Sequence, residues 1–149
     1  MSPSTISAPD PRAQTALLIS PAEEDHEIFD ELFHRWGWTL EHASSIHSAS
    51  LLLNENATSV VLTERDLPIG TWKDVLEVVL GLPEPPLVIV ISRLADERLW
   101  AEALNLGVYD VLAKPLDDTE VLRVLSLAWT HRHKAPAALT LGVGGWLWA

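Results

Sequence analysis

The stretch "SVVLTERDLPIGTW", from Ser59 to Trp72, is the most informative part of the sequence. It opens with an apolar, β-branched run that is typical of a buried strand, and the run stops at Glu64. A second acid, Asp66, and the pair Leu67-Pro68 follow directly. The stretch therefore predicts a strand whose carboxyl end carries acidic groups, and ligands bind at the carboxyl ends of strands in parallel sheets.

The same pattern recurs along the chain. Short apolar runs predict strands at 15–20, 38–43, 58–63, 85–92 and 109–115, and the fourth has five consecutive aliphatic residues from Leu87 to Ile91. Helical periodicity predicts helices at 23–36, 48–56, 71–82, 95–107 and 117–134. Strands that alternate with helices through short connections indicate an α/β protein, a (βα)5 three-layer fold with a doubly wound, parallel five-stranded sheet.

The length of 149 residues predicts one domain, which we place at residues 15–134. Residues 1–14 are rich in Ser, Pro and Ala and are expected to form a flexible leader. Residues 135–149, here called the apolar tail, contain no charged residue and two tryptophans. A solvated tail is usually polar, so we expect the apolar tail to bind a surface of its own domain, a second copy or another protein.

Composition excludes several classes of function. Ten Lys and Arg against twenty-one Asp and Glu give a formal net charge of −11, which argues against nucleic acid or an anionic membrane as partner. The absence of Cys excludes disulfides and thiol chemistry. The N-terminus has no signal-peptide pattern and no apolar run is long enough to cross a membrane, so a soluble, cytoplasmic protein is expected.

Polar residues converge at one edge of the predicted sheet. The carboxyl ends of the first, third, fourth and fifth strands carry Ser20-Pro21, Glu64-Arg65-Asp66, Ser92-Arg93 and Lys114-Pro115. We therefore expect the site at this edge.

With these residues in place, the sequence resembles a response-regulator receiver domain, the CheY-like module of two-component signalling, which has the flavodoxin-like topology. The family places its phosphoacceptor on the third strand, four residues before a proline. In this sequence the proline is Pro68, and the residue four positions before it is Glu64. Ser92 closes the fourth strand where the family has Thr or Ser, and Lys114-Pro115 follows twenty-two residues later, as in the family. The resemblance implies that Glu64 is the phosphoacceptor equivalent and that Ser92, Lys114, Pro115 and Asp66 surround it.

The metal site of the family is incomplete in this sequence. The two carboxylates that hold Mg²⁺ in the family correspond to Ser20 and Pro21, which offer one neutral hydroxyl and no side-chain ligand. We expect weak Mg²⁺ binding or none, and no other cofactor. The acids of the first turn of the first helix, Glu23, Glu24 and Asp25, are expected to serve the helix dipole rather than the site.

The resemblance suggests a reason why the third strand ends on Glu64. A glutamate is longer than an aspartate and crudely imitates a phosphorylated one, so a pair with Lys114 would hold the domain in one state. We expect the third and fifth strands to flank the first, which would let both side chains reach one pocket. A glutamate tolerated as a remnant, with no switching role, is an equally open interpretation.

The leading hypothesis is an atypical receiver, or pseudo-receiver, that acts by protein–protein interaction without standard Asp phosphorylation and is not an enzyme. The partner would be a histidine kinase, an output domain or another signalling protein, with a homodimer possible and the fourth helix, fifth strand and fifth helix as binding face by family resemblance. One alternative is a working phosphoacceptor that uses Glu64 or Asp66 with an improvised metal site. Another is a small α/β enzyme that uses Glu64, Asp66, Ser92 and Lys114, although no nucleophile–base pair is recognisable.

Overall fold

A computed structural model describes the backbone of residues 14–142 and the side chains up to residue 132. The strands are β1 (Thr15–Ile19), β2 (Thr39–Ala43), β3 (Val60–Glu64), β4 (Leu87–Ser92) and β5 (Asp110–Ala113). The helices are α1 (Glu23–Trp36), α2 (Ile46–Glu55), α3 (Trp72–Leu80), α4 (Glu97–Leu106) and α5 (Asp118–Gly142). The predicted (βα)5 fold class is confirmed.

The strands form one parallel sheet in the order β2-β1-β3-β4-β5. β1 therefore lies between β2 and β3, while β5 is at the far edge beside β4. The expectation that the third and fifth strands flank the first is wrong, because alternation of strands and helices restricts the handedness of the connections but does not fix the strand order.

Each face of the sheet is covered by a separate apolar core. One core joins β1, β3 and β4 to α2, α3 and α4, through side chains such as Leu17, Val61 and Val79. The other joins the same strands to α1 and α5, through Phe29, Leu62, Leu125 and others. Because the central strands are buried on both faces, their sequences are continuously apolar rather than alternating.

Glycines end two of the helices as the sequence predicts. Gly37 follows α1 with φ 74° and Gly107 follows α4 with φ 112°, the left-handed conformation that glycine adopts at no steric cost.

The end of the last helix differs from the prediction. α5 continues past Lys134 to Gly142, into the apolar tail, and residues 143–149 and the predicted leader, apart from Gln14, lie outside the described residues.

Candidate functional site

The site lies at the carboxyl edge of the sheet. Parallel pairing aligns the strand ends: the backbone N–H of Arg65, just after β3, donates to the Ile91 carbonyl at 3.0 Å. The N–H of Lys114, just after β5, donates to the carbonyl of Ser92 at 3.0 Å. The ends of neighbouring strands therefore lie together at this edge, although β3 and β4 separate β5 from β1.

The ammonium of Lys114 lies between two carboxylates. Its Nζ is 2.6 Å from Oε1 of Glu64, and it is 3.1 Å and 2.9 Å from Oδ1 and Oδ2 of Asp25. The three side chains are largely buried, with 10% of Lys114, 17% of Glu64 and 4% of Asp25 exposed. A buried cation with two buried anions satisfies the requirement that charges in an interior be paired.

The two oxygens of Glu64 are held differently. Oε2 accepts a hydrogen bond from the backbone N–H of Arg65 at 3.2 Å. Oε1 is in ion-pair contact with Lys114, but the approach of Nζ is not aligned for a hydrogen bond, and Oε1 is buried without another partner. Both oxygens are thus engaged within the chain, one by a hydrogen bond and the other by charge.

Asp25 is the site residue that sequence reasoning missed. It lies in the first turn of α1, where an acid is adequately explained by the helix dipole, yet it is buried and bonded to Lys114. The Oγ of Ser20 donates to Oδ2 of Asp25 at 2.7 Å and accepts from the backbone N–H of Ala22 at 3.0 Å. The expectation that the first-turn acids serve only the dipole is wrong for Asp25.

Opposing effects act on the pKa of Lys114. Burial is the largest single influence and by itself lowers the pKa. The close contact with Glu64, the hydrogen bonds to Asp25 and the negative charges of both acids together outweigh burial and raise the pKa of Lys114 above its ordinary value. The side chain is therefore a stable cation in the folded protein.

The other predicted site residues share the edge but have different partners. The Oγ of Ser92 accepts from the backbone N–H of Leu94 at 2.9 Å and so caps the turn after β4. Asp66 pairs with Arg65 at 3.2 Å and lines a separate charged cleft with Trp72 and residues of α4. Pro115 follows Lys114 through a cis peptide bond. The structure thus joins Glu64 to Lys114, Lys114 to Asp25 and Asp25 to Ser20, while the side chains of Ser92 and Asp66 have other partners at the same edge of the sheet.

The donor set can be compared with the needs of Mg²⁺, the ion that the resemblance implies. A hard divalent cation takes oxygen ligands, of which one or two are usually carboxylates. Pro21 offers no side-chain ligand, and the carboxylates of Asp25 and Glu64 face an ammonium that would repel the ion. Within the described side chains, no three His, Asp or Glu residues group as a metal site. These residues do not fit Mg²⁺.

Comparison with known proteins gives a consistent class. No family model matches the chain. The two-component response regulator ORR2 of Oryza sativa is 30% identical over 93 residues, which cover 61% of this chain and 37% of the relative. The chain therefore spans about a third of the length of the curated relatives it matches.

Solved structures share the fold. The signal receiver domain of an HD domain-containing protein from Pseudomonas fluorescens Pf-5 superimposes with a TM-score of 0.73 and 28% identity, covering 80% of this chain and 97% of that one. The receiver domain of Ssk1 from Saccharomyces cerevisiae, solved with the histidine phosphotransfer protein Ypd1, superimposes with a TM-score of 0.72 at 12% identity, covering 79% and 90% of the two chains.

A five-stranded parallel sheet with its acids and lysine at the carboxyl edge defines an α/β module of the flavodoxin-like type. Within that type, the chain is similar to the receiver domains of two-component response regulators. Receiver domains are signalling modules. In the part of the chain that the structure describes, no helix is both long and apolar enough to span a membrane.

Proposed function

We propose that this receiver domain signals through protein contact without being phosphorylated, and that Lys114 holds it in a single state. The observation that supports the proposal most is the position of Nζ, which is 2.6 Å from Glu64 and 2.9 Å from Asp25. In this arrangement the ammonium supplies, from within the chain, the positive charge that a bound cation would otherwise bring to the carboxylates.

Phosphoryl transfer to a carboxylate needs an accessible acceptor oxygen and a cation that neutralises charge as it develops. Here Oε2 of Glu64 accepts from Arg65 and Oε1 is in contact with Lys114. An incoming phosphoryl group would have to displace the ammonium and leave Asp25 buried beside new negative charge. Both requirements oppose phosphorylation of Glu64.

The same contacts argue against an enzyme. Ser92 is the hydroxyl that a small α/β hydrolase would use as nucleophile, and its Oγ is bonded to the backbone of Leu94 rather than to a base. Lys114 is held as a cation by two acids, so it is not available as a general base. We therefore propose that the domain has no catalytic activity of its own.

A protein is the partner that the surface favours. On α4, Trp100 and Leu104 are about 40% exposed, and Trp100 lines a shallow pocket of about 540 Å³ with Ala95 and Ala101. Exposed apolar side chains of this kind mark protein contacts. We propose a histidine kinase, a phosphotransfer protein, an output domain or a second copy as partner, since the yeast Ssk1 receiver was solved with such a phosphotransfer protein. The charge of −11 disfavours nucleic acid and anionic lipid.

The test is incubation with acetyl phosphate and Mg²⁺ followed by intact-mass measurement. We expect no added phosphoryl group, while a receiver domain with an aspartate acceptor treated in parallel gains one. A gain by this protein would contradict the proposal and support the working phosphoacceptor. The variants Glu64→Gln and Asp66→Asn would then identify which carboxylate is modified.

A further inference from the structure

Two histidines from different elements meet beside the site. His26 of α1 and His42 of β2 face each other through their Nδ1 atoms at 2.7 Å, with the ring centroids 4.9 Å apart. The Nε2 of His26 is 2.8 Å from the carbonyl oxygen of Ser20, and the Nε2 of His42 is 2.9 Å from Oδ1 of Asp30. All four ring nitrogens are therefore in hydrogen-bond contact.

These contacts fix the number of protons on the two rings. A carbonyl and a carboxylate only accept, so both Nε2 atoms must carry a hydrogen. Two neutral rings would then have a lone pair on each Nδ1, and two lone pairs at 2.7 Å repel. Two fully protonated rings would instead place two N–H groups against each other. All three hydrogen bonds form only when the pair shares one proton between the Nδ1 atoms, which gives it one positive charge.

The spacing of the rings suits a proton rather than a metal ion. Zinc binds imidazole nitrogen at about 2.0 to 2.1 Å, so two nitrogens on one tetrahedral zinc are more than about 3 Å apart. The Nδ1 atoms of His26 and His42 are 2.7 Å apart, inside that limit and at the length of a short hydrogen bond.

The acids nearest to the pair in sequence lie on α1 and β2, and a backbone carbonyl beside β1 also contacts it. From α1, Asp30 bonds His42, whereas Asp25, next to His26 in sequence, is turned toward Lys114. From β2, Glu41 accepts from Asn56 beyond α2, so it is directed to the opposite face of the sheet. From the residue that follows β1, the carbonyl of Ser20 contacts His26. Within the described side chains, Asp30 is therefore the acid that contacts the pair.

We propose that His26 and His42 form a proton-binding clasp, in which one shared proton fastens α1 to the edge strand β2 and makes that contact pH-dependent. The clasp adjoins the signalling site through Ser20, whose carbonyl bonds His26 and whose hydroxyl bonds Asp25. It is a site for a proton, and it is independent of whether Glu64 accepts a phosphoryl group.

The clasp should stabilise the folded state less at both higher and lower pH. At alkaline pH the shared proton leaves, and because the folded state holds it and the unfolded state does not, stability falls as pH rises. At acidic pH the unfolded state binds two protons and the clasp only one, so stability falls as pH decreases. The contribution of the clasp is therefore greatest at intermediate pH.

The direct test is ring ¹⁵N NMR of the wild-type protein. Near about pH 7 we expect three protonated ring nitrogens over the two residues, with the two Nδ1 signals intermediate between protonated and unprotonated positions. Two neutral rings that show no coupling between the Nδ1 atoms would overturn the proposal. This measurement needs no variant and so does not depend on the folding of one.

A second test compares unfolding of the wild type with His42→Gln, and uses His47→Gln on the exposed surface of α2 as the matched control. We expect the loss of the shared-proton bond to His26 in His42→Gln to raise the unfolding constant about fivefold near neutral pH, and progressively less at higher and lower pH. The control should match the wild type throughout. A pH-independent effect of His42→Gln would contradict the clasp, as would a loss of the difference when EDTA is added, which would indicate a bound metal.

Discussion

At the scale of single residues, the structure explains why a buried strand ends on an acid. Glu64 is tolerated at the end of β3 because Lys114 and the N–H of Arg65 face its two oxygens. Lys114 in turn is tolerated because Asp25 supplies a second carboxylate. Removing one member would leave the others buried and unbalanced, which costs more than losing an exposed pair.

The first prediction concerns the balance of these charges. Lys114→Met leaves Asp25 and Glu64 as two buried anions and should lower the free energy of unfolding by about 3 kcal/mol. Glu64→Gln should cost less, about 1 kcal/mol, because Asp25 still pairs the ammonium. Urea denaturation measures both. The matched control is Arg35→Met, whose pairs with Glu31 and Asp118 are exposed and should cost under about 1 kcal/mol.

The double variant completes a thermodynamic cycle. Glu64 and Lys114 are in contact, so we expect the combined loss to differ from the sum of the single losses by at least about 0.5 kcal/mol. Strict additivity would show that the two side chains do not interact, and the imitation of a phosphorylated residue by Glu64 would lose its physical basis.

The second prediction is a dependence on alkaline pH. Burial lowers the pKa of Lys114, but the contacts with Glu64 and Asp25 raise it by more. The pKa therefore lies above its ordinary value of about 10.4. A raised folded pKa stabilises the protein fully below the unfolded value, and this contribution is lost as pH rises through the folded value. The wild type should therefore lose stability above about pH 10.4, in a step that Lys114→Met lacks. If the free energy of unfolding falls equally with rising pH in the wild type and in Lys114→Met, this prediction is wrong.

Part of the residue-scale site could be predicted and part could not. The spacing from Glu64 through Ser92 to Lys114 follows from parallel strands whose ends lie at one edge, and the structure places Glu64 against Lys114. Asp25 was missed because a first-turn acid already has a local explanation. His26 and His42 were missed because they are sixteen residues apart and only the pairing of β1 with β2 brings them together.

At the scale of elements, the start of α3 fixes the loop that follows Glu64. Thr71 and Asp74 form a capping box, in which the side chain of each residue accepts a hydrogen bond from the backbone N–H of the other. Gly70, just before, has φ 102°, and a Cβ there would lie 2.7 Å from Oδ2 of Asp74 and 2.9 Å from Ile46. Glycine is thus required both for the backbone angle and for the space.

The third prediction separates those two requirements. Gly70→Ala and Gly107→Ala both place a side chain at positive φ, but a Cβ at Gly107 meets nothing within 4 Å. Gly107→Ala should therefore show backbone strain alone, about 1 to 2 kcal/mol. Gly70→Ala should cost at least about 1 kcal/mol more, because the capping box must shift. Equal thermal midpoints for the two variants would show that the crowding at Gly70 is unimportant.

The strand and helix elements were predictable where the pattern is strong. The run from Leu87 to Ile91 gave β4, and the glycines at 37 and 107 gave the ends of α1 and α4. The strand order could not be predicted, because the sequence pattern does not encode which strands are neighbours. The end of α5 could not be predicted either, because a helix can continue where no strong stop signal occurs.

The fourth prediction concerns the apolar tail. Deleting Pro136 to Ala149 should change the oligomeric state, the thermal midpoint or the recovery of partners from native cell extract, because these fourteen uncharged residues are poorly suited to remain solvated. Size-exclusion chromatography and a pull-down with both chains measure this, and a deletion of residues 143–149 alone serves as the comparison. If all three properties stay unchanged, the tail has no binding role.

At the scale of the whole molecule, the domain combines a sheet buried on both faces with a site whose charges are paired within the chain. Both apolar cores are formed around β1, β3 and β4, so the strand ends that carry Glu64 and Ser92 are fixed by packing on two faces. The remaining surface is strongly acidic, with exposed apolar side chains on α4. This distribution suits a module that is recognised by another protein.

The central claim is that the Lys114 ammonium takes the place of a metal ion between Asp25 and Glu64. A Mg²⁺ titration of the wild-type protein, followed by calorimetry and by NMR of the Lys114, Asp25 and Glu64 signals, tests it most directly. The account predicts only weak, unsaturated binding, as at a generic acidic surface, with no change in those signals below about 1 mM Mg²⁺. Saturable binding below that concentration that moves the signals of Asp25 and Glu64 would contradict it.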